Sequence, residues 1–215
     1  RAAAAIASGQ CKVALITLAG KPRSSGQATG TAPRALGPDK PEVPWESSFK
    51  WTIAGIYAMM AQRHMHQYGT TREQIAWVKV AASEHAQHNP NALLKKPVTV
   101  EDVVKSPMIS DPIRRLDCCV ITDGGGALVL TSPEIARSLN QPMVAVKGCG
   151  QTIHTNNGGY VDLTRTGAEV SGALAFGQAG IKPADIDYAS VYDNFTIMVL
   201  VQLEGLGFCE IGQGG

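Results

Sequence analysis

KPADIDYASVYDNFTIMVLVQLEGLG, residues 182–207, decides how this chain is to be folded. Its first half reads as a turn and a short apolar strand. Its second half, TIMVLVQLEGLG, reads as an apolar helix ending near Gly205–Gly207. Between them stand Tyr192, Asp193, Asn194 and Phe195, so a phenol, an acid, an amide and an aromatic ring occupy a strand-to-helix corner. Such corners are where α/β proteins gather their binding and catalytic groups. The residues alone allow two readings: a reacting cluster around Tyr192, or a polar cap on the following helix with the tyrosine hydroxyl bonded to a neighbouring element.

Working outward, the same alternation recurs. GAEVSGALAFGQAGI, residues 167–181, predicts a helix of small residues suited to close packing, and MVAVKGCGQTI, residues 143–153, predicts a strand. A loop separates them at 154–166. SPEIARSL predicts a short helix with Ser132 as cap and Pro133 at its first position. DCCVITDGGGALVLT, residues 117–131, sets two short apolar runs around Thr122-Asp123-Gly124-Gly125-Gly126, whose small residues suit close packing of sheets. At the start, RAAAAIASG predicts an alanine-rich helix closed by Gly9, followed by CKVALITLAG as a strand buried on both faces.

The span 20–116 reads as a helical and loop insertion between two strands. Gly, Pro, Ser and Thr dominate 20–45, and Phe49, Ile53, Ile56, Tyr57, Met60, His64 and Gln67 follow on helical spacing. Thr70-Thr71-Arg72-Glu73 predicts a second helix start, running to about His88, and Thr99 caps a third short helix. Strands alternating with helices predict a largely parallel α/β sheet. A helix already under way at residue 1 and a terminal Gly-Gln-Gly-Gly imply a fragment, incomplete at both ends.

Composition narrows the function classes. The chain is 44% hydrophobic and 17% charged with net charge +1, and its basic residues are scattered, so neither nucleic acid nor a charged membrane surface is indicated as partner. No apolar run reaches the roughly 18 residues of a membrane span. Cys11, Cys118, Cys119, Cys149 and Cys209 lie in or beside apolar runs at spacings that match no zinc signature. They read as buried reduced thiols of a cytoplasmic or organellar matrix protein with no bound metal, the cytoplasm being the expectation taken forward. His64 and His66, two apart on one helix, cannot share a face as metal ligands, and His154 reads as a structural histidine.

Several segments matching in order, RAAAAIASGQCKVALIT, YGTTREQIA, NPNALLKKPVTVEDVVKSPMISDPIRRLDCCVITDGGGALVLTS and VYDNFTIMVLVQLEGLGFCEIGQGG, resemble the thiolase superfamily. Within it the likeness is to the branch of sterol-carrier-type thiolases and lipid-transfer thiolase-like proteins. The resemblance implies a thiolase-like layered αβαβα fold with a helical loop-domain insertion. Residues 1–19 and 117–131 would belong to the N-terminal half, 20–116 to the insertion, and 132–215 to the linker helix and first part of the C-terminal half. It implies acyl-CoA-dependent C–C bond cleavage or formation, with coenzyme A as substrate or product, no covalently bound cofactor, and a homo-oligomer or an accessory subunit. The alternatives are retro-aldol cleavage of a β-hydroxyacyl-CoA, or a non-catalytic acyl-CoA-binding subunit.

Of the superfamily's four catalytic blocks, the resemblance places one inside this sequence. Its Asn-Glu-Ala-Phe or His-Asp-Cys-Phe reads here Tyr192-Asp193-Asn194-Phe195. None of the five cysteines matches a catalytic one, so the chain by itself is not expected to carry out thiolysis. Tyr192 takes the place of the family's Asn or His. A phenol donates well to a developing oxyanion but, with an ordinary pKa of about 10, is a poor base. Asp193 and Asn194 would orient Tyr192 and cap the next helix. Phe195 would pack, or meet the pantetheine arm. By the same resemblance Cys119 and Ser171, beside Thr166-Gly167, would line the coenzyme A and acyl channel. Arg63 would reach a phosphate.

Overall fold

The computed structural model describes residues 1–26, 52–153 and 161–215. Phe49, the rest of the span 27–51 and His154 with the loop to 160 lie outside the described residues. Two units divide the chain, Arg1–Ala28 with Ile121–Gly148, and Thr29–Val120 with Cys149–Gly215.

In the first unit, α1 (Ala2–Ala7) is alanine-rich and ends before Gly9, whose φ of 77° reverses the chain as only glycine does easily. β1 (Val13–Gly20) then pairs with the later β4 (Gly124–Thr131) in register from Val13 opposite Thr131 to Gly20 opposite Gly124. The ladder is antiparallel, where alternation of strands and helices had predicted parallel pairing. Glycine matters at the middle of this ladder. A Cβ on Gly125 would stand 2.9 Å from that of Ala19, so the small residues of the Gly124–Gly126 run let the two strands approach each other.

β1 was expected to be buried on both faces, and it is not: Leu18 is 81% exposed. Apolar sequence marks the capacity for burial, and a two-stranded ribbon offers each strand one neighbour only. Asp123 fastens the adjoining turn, its carboxylate accepting the N–H groups of Arg23 at 2.8 Å and Ser24 at 3.1 Å. α5 (Pro133–Ser138) follows with proline in its first turn as anticipated, although Ser132 gives no side-chain cap.

The second unit carries the buried core. α2 (Ile53–Tyr68) begins on the Thr52 hydroxyl and stops at Gly69, whose φ is 74°. α3 (Arg72–Ala86) opens with a full capping box made by Thr71 and Gln74, and α4 (Val100–Lys105) with another made by Thr99 and Asp102. Each such cap is worth about 1 kcal/mol. A small hairpin of β2 (Met108–Ser110) and β3 (Ile113–Arg114), then a 3-10 turn at Arg115–Asp117, lead toward the corner. α6 (Ala168–Ala179) and α7 (Thr196–Gly205) complete the unit. Ala58 and Ala61 of α2, Ile75 of α3, Ile113 of β3 and Phe195, Ile197 and Leu200 at the start of α7 form one apolar cluster.

The segments 143–153 and 186–192 were expected to be strands; among the described residues neither pairs in a ladder. Val144 is 94% exposed. An extended apolar run becomes a strand only when a neighbour takes up its N–H and C=O groups.

The small residues of α6 do what their size suggests. A Cβ on Gly172 would lie 2.7 Å from the side chain of Leu206, so α6 and the end of α7 meet across a glycine. At Gly150 a Cβ would fall 1.9 Å from the carbonyl oxygen of Ser171, closer than any packing allows. Gly150→Ala is therefore expected to force 149–151 off α6 and to destabilise by about 1–3 kcal/mol, read by denaturant titration. Unchanged stability would show that this segment does not lie on α6.

Candidate active site

The corner at 191–196 is built by three elements of the second unit. Cys118 and Phe195 form an isolated antiparallel bridge, and the Cys119 N–H donates to the Asn194 carbonyl at 3.0 Å. This places 117–119 alongside 193–195 and starts α7 directly after Phe195. The Phe195 ring is buried and stacks on Tyr57 of α2, with centroids 4.4 Å apart. Its contact is with protein, so it supports the corner from beneath.

Tyr192 faces the other way and is 69% exposed. Its main chain is held by the side chain of Gln202: Oε1 accepts the Tyr192 N–H at 3.1 Å, and Nε2 donates to the Tyr192 carbonyl at 2.7 Å. Asp193 is also exposed on the surface of the corner. Lost hydration among the surrounding atoms nevertheless raises its carboxyl above the ordinary range, and the Lys79 charge on α3 partly offsets this. Asn194 is nearly buried, and its Oδ1 accepts the N–H of Phe195 at 3.0 Å. The N-cap of α7 is Phe195, without a side-chain cap, so Asn194 tightens the corner rather than capping the helix from the N-cap position.

The two thiols here are quiet. Burial first, then the Asp117 carboxylate and the Cys119 thiol, push Cys118 up to about 11. Burial and the Asp193 charge likewise raise Cys119. Thiolates are the nucleophiles of cysteine chemistry, and both groups are held as thiols at neutral pH.

Tyr192, Asp193, Asn194, Phe195 and Cys119 thus converge. Ser171 and Arg63 are held elsewhere. The Ser171 hydroxyl donates to the Gly167 carbonyl of its own helix at 3.0 Å, while Thr166 Oγ1 accepts the Ala168 N–H at 3.2 Å. Arg63 is exposed on α2, where its charge acts on Asp162.

Sequence reasoning missed the polar groups that set this geometry. Asp117 is 1% exposed and accepts three hydrogen bonds: from Arg72 Nη2 at 2.7 Å, the Arg114 N–H at 2.8 Å and Thr196 Oγ1 at 2.8 Å. His64, read from the sequence only as part of the helical spacing of α2 and not as a metal ligand, is fully buried. Its Nε2 lies 3.1 Å from both oxygens of Glu204 and its Nδ1 2.8 Å from Thr70 Oγ1. For Glu204 a signal was present: it is the one charged residue of the largely apolar TIMVLVQLEG, and a charge in such a helix needs a partner. Among the described residues no His, Cys, Asp and Glu cluster fits a metal ion, and no helix is long and apolar enough to cross a membrane.

Residues 150–215 match the family described as thiolase C-terminal domain-like. An acetyl-CoA acetyltransferase of Methanothermobacter thermautotrophicus is 43% identical over 177 residues, covering 80% of this chain and 45% of that protein. A steroid side-chain-cleaving aldolase of Thermomonospora curvata is 38% identical over 225 residues, covering 99% of this chain and 57% of that protein. The solved Ltp2-ChsH2(DUF35) aldolase superposes with a TM-score of 0.88 at 35% identity, over 99% of this chain and 56% of that one. The chain spans about half the length of the curated relatives it matches.

Proposed function

This chain belongs to the thiolase superfamily and has its α/β fold, and from that premise we propose that it serves carbon–carbon bond cleavage or formation on acyl-CoA. The observation that carries the reading is the Tyr192 phenol, 69% exposed on a corner whose main chain is fixed from both sides. It donates to the thioester oxygen as that atom gains charge, or moves a proton to or from the substrate. Asp193 and Asn194 hold the corner in shape, and Phe195 buttresses it. Cys119, Ser171 and Arg63 lie along the coenzyme A path, Arg63 toward a phosphate and Ser171 as wall rather than donor. Residues 1–19 and 117–131 serve as part of the N-terminal thiolase half, 20–116 as the inserted loop domain, and 132–215 as linker helix and start of the C-terminal half. The solved relative is named as an assembly of two proteins, which favours a second subunit as companion, in a cytoplasmic homo- or hetero-oligomer.

One observation favours the lyase direction: the aldolase-named relatives match 99% of this chain against 80% for the acetyltransferase. In that reaction the β-hydroxyl loses its proton, the Cα–Cβ bond breaks to give a carbonyl product, and the thioester enolate left behind is reprotonated at Cα. No free coenzyme A is consumed.

The test uses the whole protein with its partner and a β-hydroxyacyl-CoA. A carbonyl product is expected without added coenzyme A, and Tyr192→Phe is expected to lower kcat by about 10²-fold or more. Full turnover in the phenylalanine variant would remove Tyr192 from the chemistry. Dependence on free coenzyme A would turn the assignment to thiolysis.

A further inference from the structure

The Gln202 side chain exchanges both hydrogen bonds with one residue. Oε1 accepts the Tyr192 N–H at 3.1 Å and Nε2 donates to the Tyr192 carbonyl at 2.7 Å. That double exchange is the pattern of a hydrogen-bonded pair in an antiparallel ladder. Here a side-chain amide takes the place of the partner strand for a single residue. The remaining Nε2 hydrogen goes to the Met198 carbonyl at 2.8 Å, one turn back on α7. The amide is thereby fixed to the helix before it reaches the corner. Tyr192 is 69% exposed, so little packing holds its side chain and the clamped backbone is the fixed point from which the phenol extends.

We propose that Gln202 is a positioning residue for Tyr192, clamping that residue's backbone so that the phenol points to one place. This rests on the reading of Tyr192 as the group that meets substrate. The chemistry required is narrow: one acceptor and two donors on a neutral planar head, which glutamine supplies. Methionine keeps the length and loses all three bonds. A glutamate carboxylate keeps the acceptor for the Tyr192 N–H but sets its second oxygen against two carbonyls. Protonated, the same side chain regains a donor.

The test is a double-mutant cycle on the whole protein. Gln202→Met is expected to lower kcat by about 10²-fold, the cost of a misplacement on the order of 1 Å, with little change in KM. In a Tyr192→Phe background the same substitution is expected to add no further loss, because its effect passes through the phenol. Gln202→Glu is expected to recover activity, relative to the parent, as pH falls through its own carboxyl pKa. Hydrogen exchange supplies a readout independent of turnover: the Tyr192 amide exchanges faster in Gln202→Met while α7 amides stay protected. If Tyr192→Phe is impaired and the two losses simply add, Gln202 is only structural and the inference is wrong, while Tyr192 keeps its role. If Tyr192→Phe is as active as the parent, the reading of Tyr192 fails and the inference with it. Should the methionine variant not fold, the glutamate variant and its pH response decide alone.

Discussion

Asp117→Ala is expected to cost about 3–5 kcal/mol of stability, the range found when one partner of a buried charged pair is removed. The carboxylate is 1% exposed and satisfies three donors from three places in the chain: Arg72 at the start of α3, Arg114 at the end of β3, and Thr196 in the first turn of α7. Arg72 gains nothing in exchange, since its Nε and Nη1 are buried and already lack a protein partner. Asp117→Asn keeps the shape and an acceptor for Arg72 and Arg114, and turns its amide donor toward the Thr196 hydroxyl. It is expected to lose less than half as much. Arg72→Met combined with Asp117→Leu is expected to recover most of the loss, because a pair replaced by apolar groups leaves no stranded charge. Denaturant unfolding with an unchanged slope checks all three. An alanine variant within about 0.5 kcal/mol of the parent would mean that Asp117 is not the buried hub described. Since Asp117 holds Thr196, the last residue of the 191–196 corner, the asparagine variant is also the milder probe of whether that corner tolerates loosening.

The second large effect belongs to Glu204. Its carboxylate takes His64 Nε2 at 3.1 Å, the Gly214 N–H at 2.9 Å and the Gly212 N–H. Glu204→Ala strands these donors together and is expected to cost about 3–5 kcal/mol. Burial alone would raise this carboxyl, but the bonds from His64, Gly212 and Gly214 outweigh it and hold it below its ordinary value of 4.5. A depressed carboxyl pKa stabilises the fold above the unfolded-state value and loses that contribution as pH falls through the folded one. Stability attributable to Glu204 is therefore expected to be level from neutral pH down to about 4.5 and to decline below it. Glu204→Gln abolishes that portion of the acid response. An identical acid profile in the glutamine variant would contradict the assignment.

The parts legible beforehand were those with local physical signatures. Thr71 and Thr99 announce α3 and α4 because a cap is a short-range hydrogen bond written in neighbouring residues. Pro133 marks the start of α5 for a different local reason, its fixed φ and missing N–H suiting a first helical turn. What could not be read is what depends on distant partners. Residues 143–153 and 186–192 have strand composition, yet composition does not say which neighbour completes a ladder. At the corner, Tyr192 to Phe195 stood out because four unlike functional groups interrupt an apolar pattern. Gln202 and Asp117 did not, because their roles exist only once residues 10 and 79 positions away arrive beside them.

The His64–Glu204 contact bridges 140 positions. At a ribosomal pace of about 5–20 residues per second, the imidazole emerges roughly 7–28 seconds before its acid. α2 and α3 can form in that interval, since their caps lie within them, but His64 must wait beside Thr70 for α7 to be synthesised. The closing of this contact therefore comes after α7 has been synthesised, late in the making of the chain.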